Sequence, residues 1–174
     1  MVDLRTLIRD IPGFPKPGIV FKDIMPLVAD PAAFRQAVGE LADFARPLEP
    51  DVILGAEARG FIFGAALAYE LGVGFAAARK PGKLPYETIR ATYALEYGTD
   101  ALELHRDAIA EGTRVLIHDD LLATGGTAKA KVDLVEQLGG IPVGAAFVIE
   151  LSFLNGREAL APLPVHSLMA FDSE

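Results

Sequence analysis

One stretch constrains this chain more than any other: Val115-Leu116-Ile117-His118-Asp119-Asp120-Leu121-Leu122-Ala123-Thr124-Gly125-Gly126-Thr127. Its apolar opening reads as a buried strand and its glycine pair as a loop. From about Thr127 to Leu138, Val132, Val135 and Leu138 give a helix an apolar stripe, which Gly139-Gly140 ends. The strand thus delivers two adjacent carboxylates to its C-terminal end, and the loop opens a helix between two threonines. Glycines let backbone amides approach an anion, and a helix N-terminus adds positive potential, so the loop suits a phosphate monoester. Paired carboxylates suit vicinal hydroxyls, and a phosphate beside a diol is a ribose 5-phosphate. Neither G-x-x-x-x-G-K-[ST] nor G-x-G-x-x-G after a strand occurs in the chain. The competing reading is an ordinary turn with a helix cap.

The rest of the chain repeats the strand–helix alternation. Asp30-Pro31 reads as an N-cap with proline at the first helical position, followed by Phe34, Val38, Leu41 and Ala45 at helical spacing up to Pro47. Strands are predicted at Ile19-Val20-Phe21, 52–54, 75–78, 143–151 and 165–171, with a further helix over about 60–71. Residues 92–97 and 101–105 read as a hairpin turning at Gly98-Thr99-Asp100, and 80–90 as a mobile loop. Such alternation implies an α/β fold, a central, mostly parallel twisted sheet flanked by helices, with ligands beyond the carboxyl ends of its strands.

Composition narrows the class. With 174 residues there is room for one domain of ordinary size, and 51% apolar against 23% charged residues is globular. Sixteen basic against 24 acidic side chains leave a net charge of −8, which argues against a nucleic-acid binder but allows a local basic pocket. The chain has no cysteine and three histidines (His105, His118, His166) without H-x-x-x-H spacing, so neither a thiol nucleophile nor a His-based metal site is expected. No signal peptide or membrane span is visible, and the expected compartment is the cytoplasm.

The 115–127 segment resembles the phosphoribosyl-pyrophosphate signature of the type I phosphoribosyltransferases. Four further stretches resemble the adenine-using members of that family: 14–24, Glu57-Ala58-Arg59-Gly60-Phe61, Arg79-Lys80-Pro81-Gly82-Lys83-Leu84-Pro85 and Leu95-Glu96-Tyr97-Gly98. The resemblance runs from about residue 4 to 154. It implies a single phosphoribosyltransferase domain over 1–174, with about 1–30 forming a small base-binding hood, and a mobile lid loop. The implied reaction joins adenine to phosphoribosyl pyrophosphate, giving AMP and pyrophosphate, with Mg²⁺ held mainly by substrate oxygens and water and no protein metal ligand. A homodimer is implied, with no nucleic-acid or membrane partner.

The resemblance also implies roles. Ala123, Thr124, Gly125, Gly126 and Thr127 would cradle the 5-phosphate, and Asp119 and Asp120 would hold the ribose hydroxyls near the reacting C1. Arg59 would bind the leaving pyrophosphate, with Lys80 and Lys83 closing over it from the lid. Adenine would stack between Phe21 and Leu121, its edge read by the main chain of Val20 and Lys22. Glu96 would act as acid/base near N7, supported by Tyr97. Each has a plainer reading: Arg59 as a surface ion pair, the lysines as solvated, Phe21 as core, Glu96 as a strand-end acid. His118 stands where the signature usually has an aliphatic residue and reads as a hydrogen-bonded core or interface histidine. No site is expected after Asn155. The alternatives are a phosphoribosyltransferase for a 6-oxopurine or orotate, and a non-catalytic phosphoribosyl-pyrophosphate sensor.

Overall fold

The computed structural model describes residues 2–94 and 99–173. Nine strands are described: β1 (Arg9–Pro12), β2 (Val20–Asp23), β3 (Val52–Ala56), β4 (Gly74–Ala78), β5 (Thr88–Ala94), β6 (Thr99–His105), β7 (Arg114–Leu122), β8 (Ile141–Leu151) and β9 (Val165–Phe171). The α-helices are α1 (Met25–Ala29), α2 (Pro31–Ala45), α3 (Gly60–Leu71) and α4 (Gly126–Gln137). Strands β4-β3-β7-β8-β9, in that order, form a five-stranded sheet in which every neighbouring pair is parallel.

A parallel sheet needs cover on both faces, and its strands are apolar throughout. Ile53, Leu54, Leu116, Ile117, Phe147 and Val148 are all fully buried. On one face Leu54, Ile117 and Phe147 pack with Leu134 and Val135 of α4 and Leu102 of β6. On the other, Ile53, Leu116 and Val148 pack with Leu41 of α2 and Phe63 and Leu67 of α3. Helix α2 starts where expected, because the Asp30 carboxylate accepts from the amides of Ala32 and Ala33 at 2.9 and 2.8 Å. Among the described residues, no helix is long and apolar enough to cross a membrane.

The order of the sheet positions the site. From β3 the chain steps outward to β4, whereas from β7 it steps the opposite way to β8 and β9. The carboxyl ends of β3 and β7 therefore meet at a topological switch point, the place where open α/β sheets bind ligands.

Three local expectations change. The hairpin begins at Thr88, inside the stretch read as loop, because Thr88 pairs with His105 at the far end of β6. Thr99 and Asp100 belong to β6 rather than to a turn. Strand β1 and the short α1 were not expected; Arg9-Asp10-Ile11-Pro12 has no apolar alternation and is extended through its antiparallel pairing with β2.

Candidate active site

Both carboxylates sit at the end of β7 and line a cleft with Glu57, Arg59, Lys80 and the whole 121–128 segment. Asp119 is held from three sides. Its Oδ1 accepts from the Asp120 amide at 3.1 Å and its Oδ2 from Lys131 Nζ at 2.7 Å. On the third side lies Gly60, where an added Cβ would come 2.5 Å from Oδ1, so only glycine leaves the carboxylate its place. A carboxylate has about four lone-pair sites, and these contacts leave acceptor capacity towards the cleft.

Asp120 is more buried, at 4% exposure. Arg59 Nε lies 3.0 Å from its Oδ2, close enough for an ion pair but misaligned for a hydrogen bond. Asp120 Oδ2 and Arg59 Nη1 are therefore buried polar atoms with no hydrogen-bond partner among the described residues. Burial, reinforced by the neighbouring Asp119 charge, pushes the Asp120 carboxyl up to about 7, against the pull of Arg59.

The 123–127 loop follows directly. Gly125 adopts φ +86, which glycine takes freely, and α4 begins there without a side-chain cap. The first hydrogen bond of the helix runs from the Lys129 amide to the Gly125 carbonyl at 2.8 Å. The amides of the first turn thus have no intrahelical acceptor and remain for an anion. The loop also has a support that the sequence did not reveal. A Cβ on Gly125 would lie 2.5 Å from the Gly156 oxygen, so the tail segment Gly156–Leu160 packs directly behind it.

The lysine-bearing segment is tied to the cleft by Glu57. Its carboxylate accepts from the Lys80 amide at 2.6 Å and Arg79 Nη2 at 3.2 Å, with Lys83 Nζ at 3.5 Å. Burial would raise the Glu57 pKa, but these donors outweigh it and hold it below the usual carboxylate range. Lys80 Nζ donates to Asp100 and, at 3.2 Å, to the Tyr93 hydroxyl. Burial would lower the Lys80 pKa, yet these partners raise it, so the ammonium stays charged. Lys83 meets the cleft through residues that line it, its ammonium beside Glu57 and its amide donating to the Lys80 carbonyl at 3.3 Å.

Phe21 meets the site through Arg59, whose guanidinium carbon lies 4.6 Å from the ring centroid. The β1–β2 ribbon fixes which backbone edge is open. The Gly13 amide donates to the Ile19 carbonyl at 2.8 Å, so in the antiparallel register Ile19, Phe21 and Asp23 face β1. Val20 and Lys22 therefore direct their N–H and C=O groups to the edge that carries no strand. The Lys22 side chain turns away, donating to Asp10 at 2.8 Å. Leu121 lines the cleft; Glu96 and Tyr97 lie outside the described residues.

His118 is fully buried, as predicted for a core residue, but among the described residues neither ring nitrogen meets a partner at good hydrogen-bond geometry. Burial holds its pKa down to about 4, so the ring is neutral near pH 7; the Lys131 charge lowers it further, while Asp119 and a nearby backbone group of Ala146 pull it up. No role was expected of Glu57, Tyr93, Asp100 or Lys131. Glu57 stood in the 57–61 stretch beside Arg59, and Lys131 left a trace as a charge four residues before Val135 on the apolar stripe of α4.

The phosphoribosyl transferase domain family matches residues 28–159. An adenine phosphoribosyltransferase of Brevibacillus brevis is 57% identical over 170 residues, 98% of this chain and all of the relative. The crystal structure of adenine phosphoribosyltransferase from Thermoanaerobacter pseudethanolicus superposes with a TM-score of 0.95 at 54% identity, covering 97% of this chain and 98% of that one. The Saccharomyces cerevisiae enzyme, complexed with D-2,5-dideoxy-2,5-imino-altritol 1,6-bisphosphate and adenine, gives 0.89 at 42% identity, covering 96% and 97%. With a switch-point cleft, paired carboxylates and an open anion loop in the same places as the signature, this chain belongs to the phosphoribosyl transferase domain family and, within it, to the adenine phosphoribosyltransferases.

Proposed function

We infer that the chain transfers the phosphoribosyl group of phosphoribosyl pyrophosphate to adenine, releasing AMP and pyrophosphate. One observation carries the reading at the level of chemistry: a half-buried and a buried carboxylate, Asp119 and Asp120, and an uncapped, glycine-started helix face one cleft at the switch point of the sheet. The 5-phosphate sits on the amides and hydroxyls of Ala123, Thr124, Gly125, Gly126 and Thr127. Asp119 and Asp120 accept from the ribose hydroxyls and stabilise the positive charge that develops at C1 as the C1–O bond to pyrophosphate breaks. The leaving oxygen keeps the bond electrons, and adenine N9 supplies the new pair to C1.

Arg59 exchanges Asp120 and Phe21 for the leaving pyrophosphate, and Lys80 and Lys83 close over it to exclude water, which would otherwise capture the cation. Adenine takes the place over Phe21 that the guanidinium occupies, against Leu121, with Val20 and Lys22 main chain on its edge. Glu96 handles the base proton, with Tyr97 beside it. The yeast relative was solved with adenine, and we extend that ligand to this chain.

Mg²⁺ fits as a substrate-borne ion. Among the described residues no cluster of three metal-ligating side chains exists, and Mg²⁺ commonly keeps its waters and binds through phosphate oxygens. When bound it neutralises diphosphate charge. We also propose a single domain over 1–174 with a hood from the first thirty or so residues, a cytoplasmic location, and a homodimer, for which exposed Tyr69 and Met25 offer apolar surface.

A base panel tests the specificity. Offered phosphoribosyl pyrophosphate, Mg²⁺ and adenine, hypoxanthine, guanine or orotate in turn, the protein should form nucleotide from adenine at least about a hundredfold faster (kcat/KM) than from the others, because a buried edge unpaired with its base is costly. Nucleotide from another base and none from adenine would move the chain to one of the other branches.

A further inference from the structure

Among the described residues, Lys131 is the charged side chain with the least exposure. It is fully buried in α4, among Ala128, Ala130, Val132, Leu134 and Val135. Desolvating an ammonium is costly, and a Leu or Met would fill the same space without that cost. Its Nζ reaches two acceptors on β7, the His118 carbonyl at 2.5 Å and Asp119 Oδ2 at 2.7 Å. The contact comes from the helix that the anion loop itself begins. The loop, α4 and the carboxylate pair thereby form one closed frame, with Lys131 as the strut between the helix and the end of the strand.

We propose that Lys131 is a positioning residue for phosphoribosyl pyrophosphate, fixing the Asp119 carboxylate relative to the phosphate loop so that diol and phosphate are gripped at one set distance. The proposal rests on the reading of Asp119 as a ribose-hydroxyl acceptor. Two features of the geometry support it. Asp119 Oδ1 is already set by the Asp120 amide and by Gly60, and among the described residues Lys131 Nζ is the donor that sets the second oxygen. In addition, the ammonium stands behind the carboxylate and away from solvent (it is 0% exposed against 14% for Asp119), so it orients the acid without competing for ligand.

The test compares Lys131→Met, Asp119→Asn and the double variant, each assayed for KM of both substrates, kcat and thermal midpoint. Lys131→Met should raise KM for phosphoribosyl pyrophosphate about tenfold or more while KM for adenine moves less than about twofold, a split that a packing defect would not give. Adding Lys131→Met to Asp119→Asn should change KM by less than about twofold, because the coupling runs through that carboxylate. An unchanged KM for phosphoribosyl pyrophosphate in Lys131→Met, with Asp119→Asn impaired, overturns the role of Lys131 alone. An Asp119→Asn variant with unaltered KM instead overturns the reading of the carboxylate. Should Lys131→Met not fold, Lys131→Gln takes its place in the same comparison, with the same KM split expected. If neither folds, Lys131 is a packing residue and the proposal fails.

Discussion

Asp120→Asn should lose turnover by a factor on the order of 10²–10³ and, at pH 8, should melt at a higher temperature than the unaltered protein. The two effects share one cause. Asp120 is 4% exposed, one of its oxygens has no hydrogen-bond partner among the described residues, and its carboxyl is pushed up to about 7. The folded state therefore binds this proton more tightly than the unfolded chain, in which an aspartate titrates near 3.9. Between these two values the folded protein carries more protons, so stability falls as pH rises from about 4 to 7 and stays reduced above that. An amide removes this penalty, worth roughly a few kcal/mol at pH 8 and nothing below about pH 4. The lost ion pair subtracts little, because the Arg59 side chain is 38% exposed. Melting curves at pH 4 and pH 8 check the sign. A variant less stable than its parent at pH 8 would show that the buried charge is compensated, and that the carboxylate is not held in reserve for the ligand.

The second large effect is expected at the phosphate loop. Gly125→Ala should raise KM for phosphoribosyl pyrophosphate on the order of a hundredfold, about 3 kcal/mol of binding, with KM for adenine nearly unchanged. The left-handed φ of +86 costs an alanine roughly 1–2 kcal/mol. The methyl would also sit 2.5 Å from the Gly156 oxygen and 2.8 Å from Ala159 Cβ, so either the loop or the tail must move. Gly112→Ala provides the control. Gly112 has φ +79, but nothing lies within 4 Å of its would-be Cβ, so the substitution should lower the melting temperature and leave both KM values alone. Steady-state kinetics on the two variants separate backbone strain from damage to the site. Equal effects at the two positions would mean that Gly125 serves only the fold.

Much of this site was legible because its chemistry is local. Residues 115–127 carry strand, carboxylates, loop and helix start in one continuous run, and each part is a short-range consequence of its residues. Asp30-Pro31 likewise announced α2, and the apolar runs at 52–54 and 143–151 announced strands that extend over Val52–Ala56 and Ile141–Leu151. What was not legible is long-range. Glu57 gathers Lys80, Arg79 and Lys83 from more than twenty residues away. Gly156 backs Gly125 from the tail that was expected to be silent. Strand β1 exists only through β2, so its own residues carry no signal. His118 lies in the core as expected, but its ring nitrogens meet no well-aligned partner among the described residues, since a strand pattern sets the face a ring lies on and not what meets its nitrogens.

The central claim is that the turn from β7 into α4 holds the sugar phosphate, and amide chemical shifts test it without any base or turnover. In ¹H–¹⁵N spectra titrated with ribose 5-phosphate, saturable shifts should be largest at Asp119, Asp120 and Ala123 through Thr127, and absent from α2 and β9. Saturable shifts centred elsewhere, with residues 119–127 unmoved, would contradict the account.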